Sequence, residues 1–262
     1  MTERKQAKVL ITGFGPFLDI LTNPAWEVSR RLPPTLTTPT SSTTTRLIVP
    51  DFPIPAKYHD ILTTTPALIK EHNPDIVVHI GLAHGRTWFA VEKGAQKEGY
   101  HEVLDMGRKV FTRAENKKLW GKEVGRLEST LELEVAVEAW SEEVRGVGLP
   151  PRDSSSGPGV GGEAKERGKK GKQKTKEAAD SYSNAKGKSA REQVDVRLSD
   201  DVGNYVCGFM YYVSLLEMQR STGRMDTVFF HVPYLESEEE VLVGVRVAEA
   251  LIRALVGVWE ES

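Results

Sequence analysis

KVLITGF, residues 8–14, is an almost unbroken apolar run that closes on a glycine and a phenylalanine. A strand wetted on one face alternates polar and apolar residues. An unbroken run instead fits a strand covered on both faces of a parallel sheet. DIVVHIGLA (75–83) and DTVFFHVP (226–233) read the same way, and RLIVP (46–50) and WFAVEKG (88–94) are shorter versions. QVDVRL (193–198) alternates and adds another strand. Helical spacing lies between these runs. Pro24 can open a short helix with Asn23 as its N-cap and Trp26, Val28 and Leu32 on one face. A second helix is expected over 56–72, with Ile61, Leu62, Leu68 and Ile69 inward and Pro66 as an awkward interruption. Steps of three and four place Leu133, Val137, Trp140 and Val144 on one face of a helix over 131–147. Residues 203–218 are apolar on most sides, as a buried helix would be. The last helix spans about 238–259, with Val241, Val245, Ala248, Ile252, Leu255 and Trp259 in line. Strands alternating with helices predict a three-layer α/β/α sandwich around a mixed, mostly parallel sheet. The Pro-, Ser- and Thr-rich stretch 33–45 reads as a surface loop.

One stretch breaks this pattern. Residues 153–192 hold seven Gly, six Ser and ten Lys or Arg, and no Leu, Ile, Phe, Met or Trp. Such a composition buries too little apolar area to offset its ordering entropy, so a disordered insertion within one catalytic domain spanning 1–262 is expected. Its basic part, EAKERGKKGKQKTK, matches the composition of nucleic-acid patches, but a solvated loop is the better reading.

Composition narrows the function classes. The 262 residues carry 35 Lys+Arg against 37 Asp+Glu, a net charge of −2, which gives no whole-chain reason to expect nucleic acid or an anionic membrane as partner. No apolar run approaches the ~20 residues of a membrane span. MTERKQAK runs directly into the first strand without a signal-peptide core, so a cytoplasmic protein is expected. The single cysteine, Cys207, excludes an intramolecular disulfide and a multi-cysteine metal site. No HExxH or similar close spacing links the six histidines; no metal and no cofactor are expected, and most of the histidines read as surface or capping residues. Gly13 and Gly15 begin a GxG pattern, but Leu18 stands where a dinucleotide fingerprint needs its third glycine, so nucleotide binding is rejected.

The remaining chemistry gathers at strand ends. Phe14 and Phe17 flank a Gly-Pro turn at the carboxyl end of the first strand, where they pack in the core or line an apolar pocket. His231 ends the apolar run VFFH. Cys207 lies near the start of a helix, where the dipole and free N–H groups favour a thiolate; Ser199, Asp200 or Asp201 are candidate caps. Glu92 is a carboxylate inside an apolar run, which burial penalises unless it has a partner. A cysteine, a histidine and an orienting carboxylate at one sheet edge would form a nucleophilic triad.

Four ordered segments carry a family resemblance. GFGPF (13–17) with Asn23-Pro24 and Trp26, VVHIGLAHGRTWFAVEKGAQKEGYHEVLD (77–105), SDDVGNYVCGFMYYVSL (199–215) and FFHVPYL (229–235) resemble the signatures of pyroglutamyl-peptidase I, the pyrrolidone-carboxylate peptidase family of cysteine peptidases. The resemblance leaves out 106–130 and the insertion. It implies a cofactor-free, usually cytosolic exopeptidase that removes N-terminal pyroglutamate from peptides through a thioester. Cys207 would be the nucleophile, His231 the general base and acid, and Glu92 the orienting carboxylate. It further implies that Phe14 and Phe17 pack on the substrate ring, that Gly81, Leu82 and Ala83 hold the lactam through main-chain groups, and that Asn23 belongs to the substrate-binding set. Three positions depart from the family pattern: Leu82 replaces a glutamine common in bacterial members, Glu102 occupies the place of a bacterial arginine proposed to assist the oxyanion, and Val202 stands where alanine is common before the glycine of the nucleophile motif. Competing readings are a related amidase or aminopeptidase with the same triad, and a binding protein without catalysis whose basic insertion contacts nucleic acid.

Overall fold

The computed structural model describes residues 6–37, 44–151 and 192–262. The insertion expected at 153–192 lies outside these residues, except for Glu192.

The chain opens with β1 (Lys8–Gly13) and a short helix α1 (Pro24–Ser29). Asn23 caps α1, accepting from the Ala25 amide. β2 (Thr35–Thr37) and β3 (Thr44–Ile48) follow, so the stretch expected to be a loop over 33–45 contains an edge strand and the start of its neighbour. Pairing with β3 supplies the backbone partners that the local Pro- and Thr-rich sequence does not advertise. α2 (Tyr58–His72) continues through Pro66. An interior proline costs a helix about 3 kcal/mol, and here the buried Ile61, Thr65, Leu68 and Ile69 hold the helix in place on either side of it. β4 (Ile76–Leu82) is buried at every position, β5 (Phe89–Glu92) likewise.

Between β5 and the next helix of the main layers lies a small unit the sequence reading left blank. β6 (Gly94–Gln96) pairs with β7 (Arg126–Glu128), and α3 (Arg113–Trp120) sits between them in sequence. α3 begins with a capping box: the Thr112 side chain accepts from the Glu115 amide while the Glu115 carboxylate accepts from the Thr112 amide. That S/T-x-x-E pattern was visible in the sequence. α4 (Leu133–Glu143) follows, and β8 (Gly148–Leu149) pairs with β9 (Glu192–Gln193). The strand expected at 193–198 is therefore split between β9 and β10 (Val196–Ser199). The chain ends with α5 (Val206–Thr222), β11 (Thr227–Val232) and α6 (Glu238–Glu260).

The seven-stranded sheet runs β10-β5-β11-β4-β1-β3-β2. Its pairings are parallel except β11 with β5 and β2 with β3. Helices cover both faces, as expected. Val9 and Ile11, Val78 and Ile80, and Val228 and Phe230 turn toward the layer that includes Val28, Trp140 and Leu251. Their sequence neighbours Leu10, Val77 and Phe229 turn toward α2 and α5. Because side chains alternate along a strand, Gly81, Glu92 and His231 also belong to the α5 side. Phe209 fixes α5 there: its ring packs against Tyr58, Tyr100, Phe111 and Trp120 at centroid distances of 4.8–5.3 Å.

Candidate active site

Sheet register brings the site together. His231 on β11 stands opposite Gly81 on β4, and Phe229 opposite Glu92 on β5. Both Glu92 and His231 face α5, so their side chains meet diagonally across the β5–β11 pair. His231 Nδ1 lies 2.7 Å from Glu92 Oε1, with both side chains almost wholly excluded from water.

Cys207 reaches the same place from the helix layer. It is the second residue of α5, half-buried, and its sulfur would lie 3.4 Å from a Cβ built at Gly81. Such a Cβ would also come within 2.6 Å of the Phe229 ring. Glycine at 81 therefore leaves the space in front of the thiol open. The thiol and the imidazole thus border one position at the carboxyl end of β4. The turn entering α5 is equally constrained. Gly203 adopts φ +81°, and a side chain at Gly208 would strike the Gly203 carbonyl.

The expected caps of this helix are not used. The N-cap is Tyr205, with no side-chain cap. Ser199 Oγ accepts from the Asp201 amide, Asp200 pairs with Arg126, and the Asp201 carbonyl accepts from Arg86. The first helical hydrogen bond runs from the Phe209 amide to the Tyr205 carbonyl. The Val206, Cys207 and Gly208 amides precede it and carry the positive end of the helix dipole toward the sulfur.

Electrostatics divide the three groups. Burial alone would raise the Glu92 pKa, but hydrogen bonds from His231, Ser199 and Arg86 outweigh it and hold the carboxyl below its ordinary value. Burial pushes the Cys207 thiol up to about 12; the Glu92 carboxylate adds to the rise and Arg86 opposes it. Cys207 therefore rests as a thiol, and forming its thiolate requires an acceptor for the proton. Arg86 was not singled out from the sequence. The only signal for it is a position six residues before Glu92, in the turn after β4, where its amide bonds to the Ala83 carbonyl.

The remaining candidates surround this point. Phe14 is buried, 6.4 Å from the Phe229 ring, and Phe17 is half-buried in a small turn closed by Ile20. Gly81 and Leu82 end β4 rather than forming a loop, and the Ala83 amide bonds to the Val232 carbonyl. Asn23 is buried with both polar ends engaged: Oδ1 caps α1 and Nδ2 donates to the Gly15 carbonyl at 2.8 Å. It shapes the turn that carries Phe14 and Phe17. One histidine departs from the surface-or-cap expectation. His79 is wholly buried in β4, 2.7 Å from Thr12 Oγ1, and burial drives its pKa down to about 3. An unbroken strand buried on both faces has no exposed side on which to place it.

Several known proteins resemble this chain. The family model described as pyroglutamyl peptidase matches residues 7–125. Mouse pyroglutamyl-peptidase 1 is 24% identical over 266 residues, covering 99% of this chain and 95% of its own length. The pyrrolidone-carboxylate peptidase of Bacillus subtilis is 38% identical over 88 residues, 34% of this chain and 38% of its own. The chain is thus similar to pyroglutamyl peptidases over its N-terminal part in the family model and, at lower identity, along nearly its whole length. The crystal structure of the pyroglutamyl peptidase I from Bacillus amyloliquefaciens superposes with a TM-score of 0.63 at 19% identity, covering 97% of this chain and 96% of that one. That likeness confirms the mostly parallel α/β/α fold expected from the sequence. No helix among the described residues is long and apolar enough to cross a membrane.

Proposed function

We infer that this protein is a cysteine exopeptidase that removes N-terminal pyroglutamate from peptides. The observation that carries the reading is the buried Glu92–His231 pair at 2.7 Å, set beside the Cys207 thiol at a strand end in a chain similar to pyroglutamyl peptidases. In the proposed reaction, His231 takes the Cys207 proton and the sulfur attacks the carbonyl carbon that joins pyroglutamate to the next residue. The oxyanion is met by amides of the first turn of α5. The tetrahedral adduct collapses as the imidazolium gives its proton to the leaving amine, which leaves a pyroglutamyl thioester. His231 then deprotonates a water that hydrolyses the thioester and restores the thiol. Glu92 holds the Nδ1–H tautomer and stabilises the imidazolium at each stage.

The substrate ring is a neutral lactam, so an apolar slot suits it better than a charged one. We place it against Phe14 and Phe17, with main-chain groups of Gly81, Leu82 and Ala83 reading its amide. Asn23 supports that slot through the Gly15 carbonyl. Peptides with N-terminal pyroglutamate are the proposed partners, and the cytoplasm is the proposed compartment. We further propose that the chain works as a single catalytic domain.

Hydrolysis of fluorogenic amides tests the reading. The pyroglutamyl amide should be cleaved, and prolyl and unblocked glutamyl amides should not; a thiol-alkylating reagent should stop the reaction. Preferential cleavage of either control would instead identify an amidase or aminopeptidase using the same residues. No cleavage together with salt-sensitive nucleic-acid binding would favour the binding-protein reading.

A further inference from the structure

Arg86 connects Glu92, close by in sequence, with the loop at Asp201, which is remote from both. Its Nη1 donates to Glu92 Oε1 at 2.6 Å, the same oxygen that His231 Nδ1 approaches. Its Nη2 donates to the Asp201 carbonyl at 2.6 Å, in the loop that leads to the nucleophile helix. Its guanidinium carbon lies 5.8 Å from the Trp88 ring centroid, and Arg197 covers that ring at 4.3 Å. The Arg86 side chain is 17% exposed, so the ion pair with the fully buried Glu92 is shielded from water on one side and open to it on the other.

A charge here has a definite consequence. The groups facing the Glu92–His231 pair are Cys207 and Tyr211 from α5, Ser199 from β10, and Arg86 from the turn. The Tyr211 hydroxyl donates to the Glu92 main-chain carbonyl at 3.0 Å and carries no charge. Nearby charges are already matched: Arg197 pairs with Asp195, and Lys93 points away to Glu134. His79, on the neighbouring strand, is neutral. Arg86 is therefore the cation that sets the balance. Glu92 by itself would bind the imidazolium, which favours proton transfer to His231, but would also repel the thiolate left on a sulfur that burial already holds as a thiol. A guanidinium on the shared oxygen weakens that repulsion.

We propose that Arg86 is a positioning residue of the catalytic centre: it clamps the Glu92 carboxylate to the loop entering the nucleophile helix, and its charge offsets the repulsion between that carboxylate and a thiolate on Cys207. The reaction it serves is the one inferred above, so the test must separate the two inferences. The rate of Cys207 alkylation by iodoacetamide against pH needs no substrate and reads the titration directly, since Cys207 is the chain's only cysteine.

Removing a cation raises the pKa of a neighbouring thiol and of a neighbouring imidazolium alike. Arg86→Met should move the alkylation profile, and the acid limb of kcat/KM, upward by about one pH unit. Below the limb that is roughly a tenfold loss of rate at fixed pH. KM should change little, because Arg86 contacts no substrate group. Arg86→Lys keeps the charge but not the two-armed reach. It should return the limb to its wild-type position while recovering only part of kcat. Arg86→Gln serves for the uncharged case if the methionine variant does not fold. An uncharged variant whose limbs stay in place overturns the proposal, even if kcat falls, and so does a lysine variant whose limb stays displaced. A shifted alkylation profile in a protein that cleaves no pyroglutamyl amide would uphold the role of Arg86 and overturn the substrate instead.

Discussion

Two histidine–glutamate pairs in this molecule have nearly the same length and entirely different surroundings. His231 and Glu92 meet at 2.7 Å with side chains 5% and 0% exposed; His59 and Glu115 meet at 2.8 Å with side chains 39% and 38% exposed. The first pair joins two sheet strands that register places side by side. The second joins α2 to α3 on the surface. Glu115 is held down to about 2, first by the Thr112 side chain of its own capping box and next by His59, so it works mainly as a helix cap. Glu92 is held low against the opposing pull of burial, by His231 and Arg86. Distance alone does not distinguish a buried partner of an imidazole from a cap. The difference lies in water exclusion, which strengthens each interaction with the buried group, and in a thiol beside one imidazole and not the other.

Breaking the buried site should have the largest effect. Cys207→Ser should drop turnover to the assay floor while the far-UV spectrum and melting temperature stay near wild type, because the hydroxyl fits the same space but lacks a thiolate's nucleophilicity. Retained turnover would remove Cys207 from the mechanism.

Glu92→Gln comes next. The amide can still accept from His231 but cannot stabilise the imidazolium, and in serine triads the comparable change costs about 10⁴ in turnover. The loss should appear in kcat rather than KM. Its stability signature has a definite sign. A carboxylate whose folded pKa lies below the ordinary 4.5 contributes stability that is complete above that value and is lost as pH falls through the folded value. Denaturant midpoints measured from pH 6 downward should therefore fall less steeply in Glu92→Gln than in wild type.

The exposed pair should respond least. His59→Ala should leave kcat and KM unchanged and shift stability by less than about 1 kcal/mol, as exposed ion pairs do. Thr112→Ala, which removes the cap itself, should cost about 1 kcal/mol in denaturant titration with turnover unaffected. A catalytic defect in either variant would mean that the two pairs communicate, and the comparison would have to be redrawn.

Legibility in the sequence tracked how local the determining physics is. The buried strands, α1 with its Asn23 cap, and α4, α5 and α6 were readable because apolar period and capping chemistry act within a few residues. Glu92, Cys207 and His231 stood out for the same reason, each being a polar or nucleophilic group in an apolar context, and the order of the four motifs added the family resemblance. The edge strand β2 was missed because its stability comes from pairing with β3. The capping box of α3 was written in the sequence but lay outside the motifs that drew attention.

By itself, then, the sequence determined the layered fold, and it marked Glu92, Cys207 and His231 as the candidate reactive groups, since each follows from residue type and short-range spacing. The tertiary structure alone decided that Glu92 and His231 face the same side of the sheet, that Gly81 leaves room before the sulfur, and that Arg86 shares the Glu92 oxygen. Strand order and register set those relations, and they depend on backbone hydrogen bonds between segments more than a hundred residues apart, which no local pattern encodes.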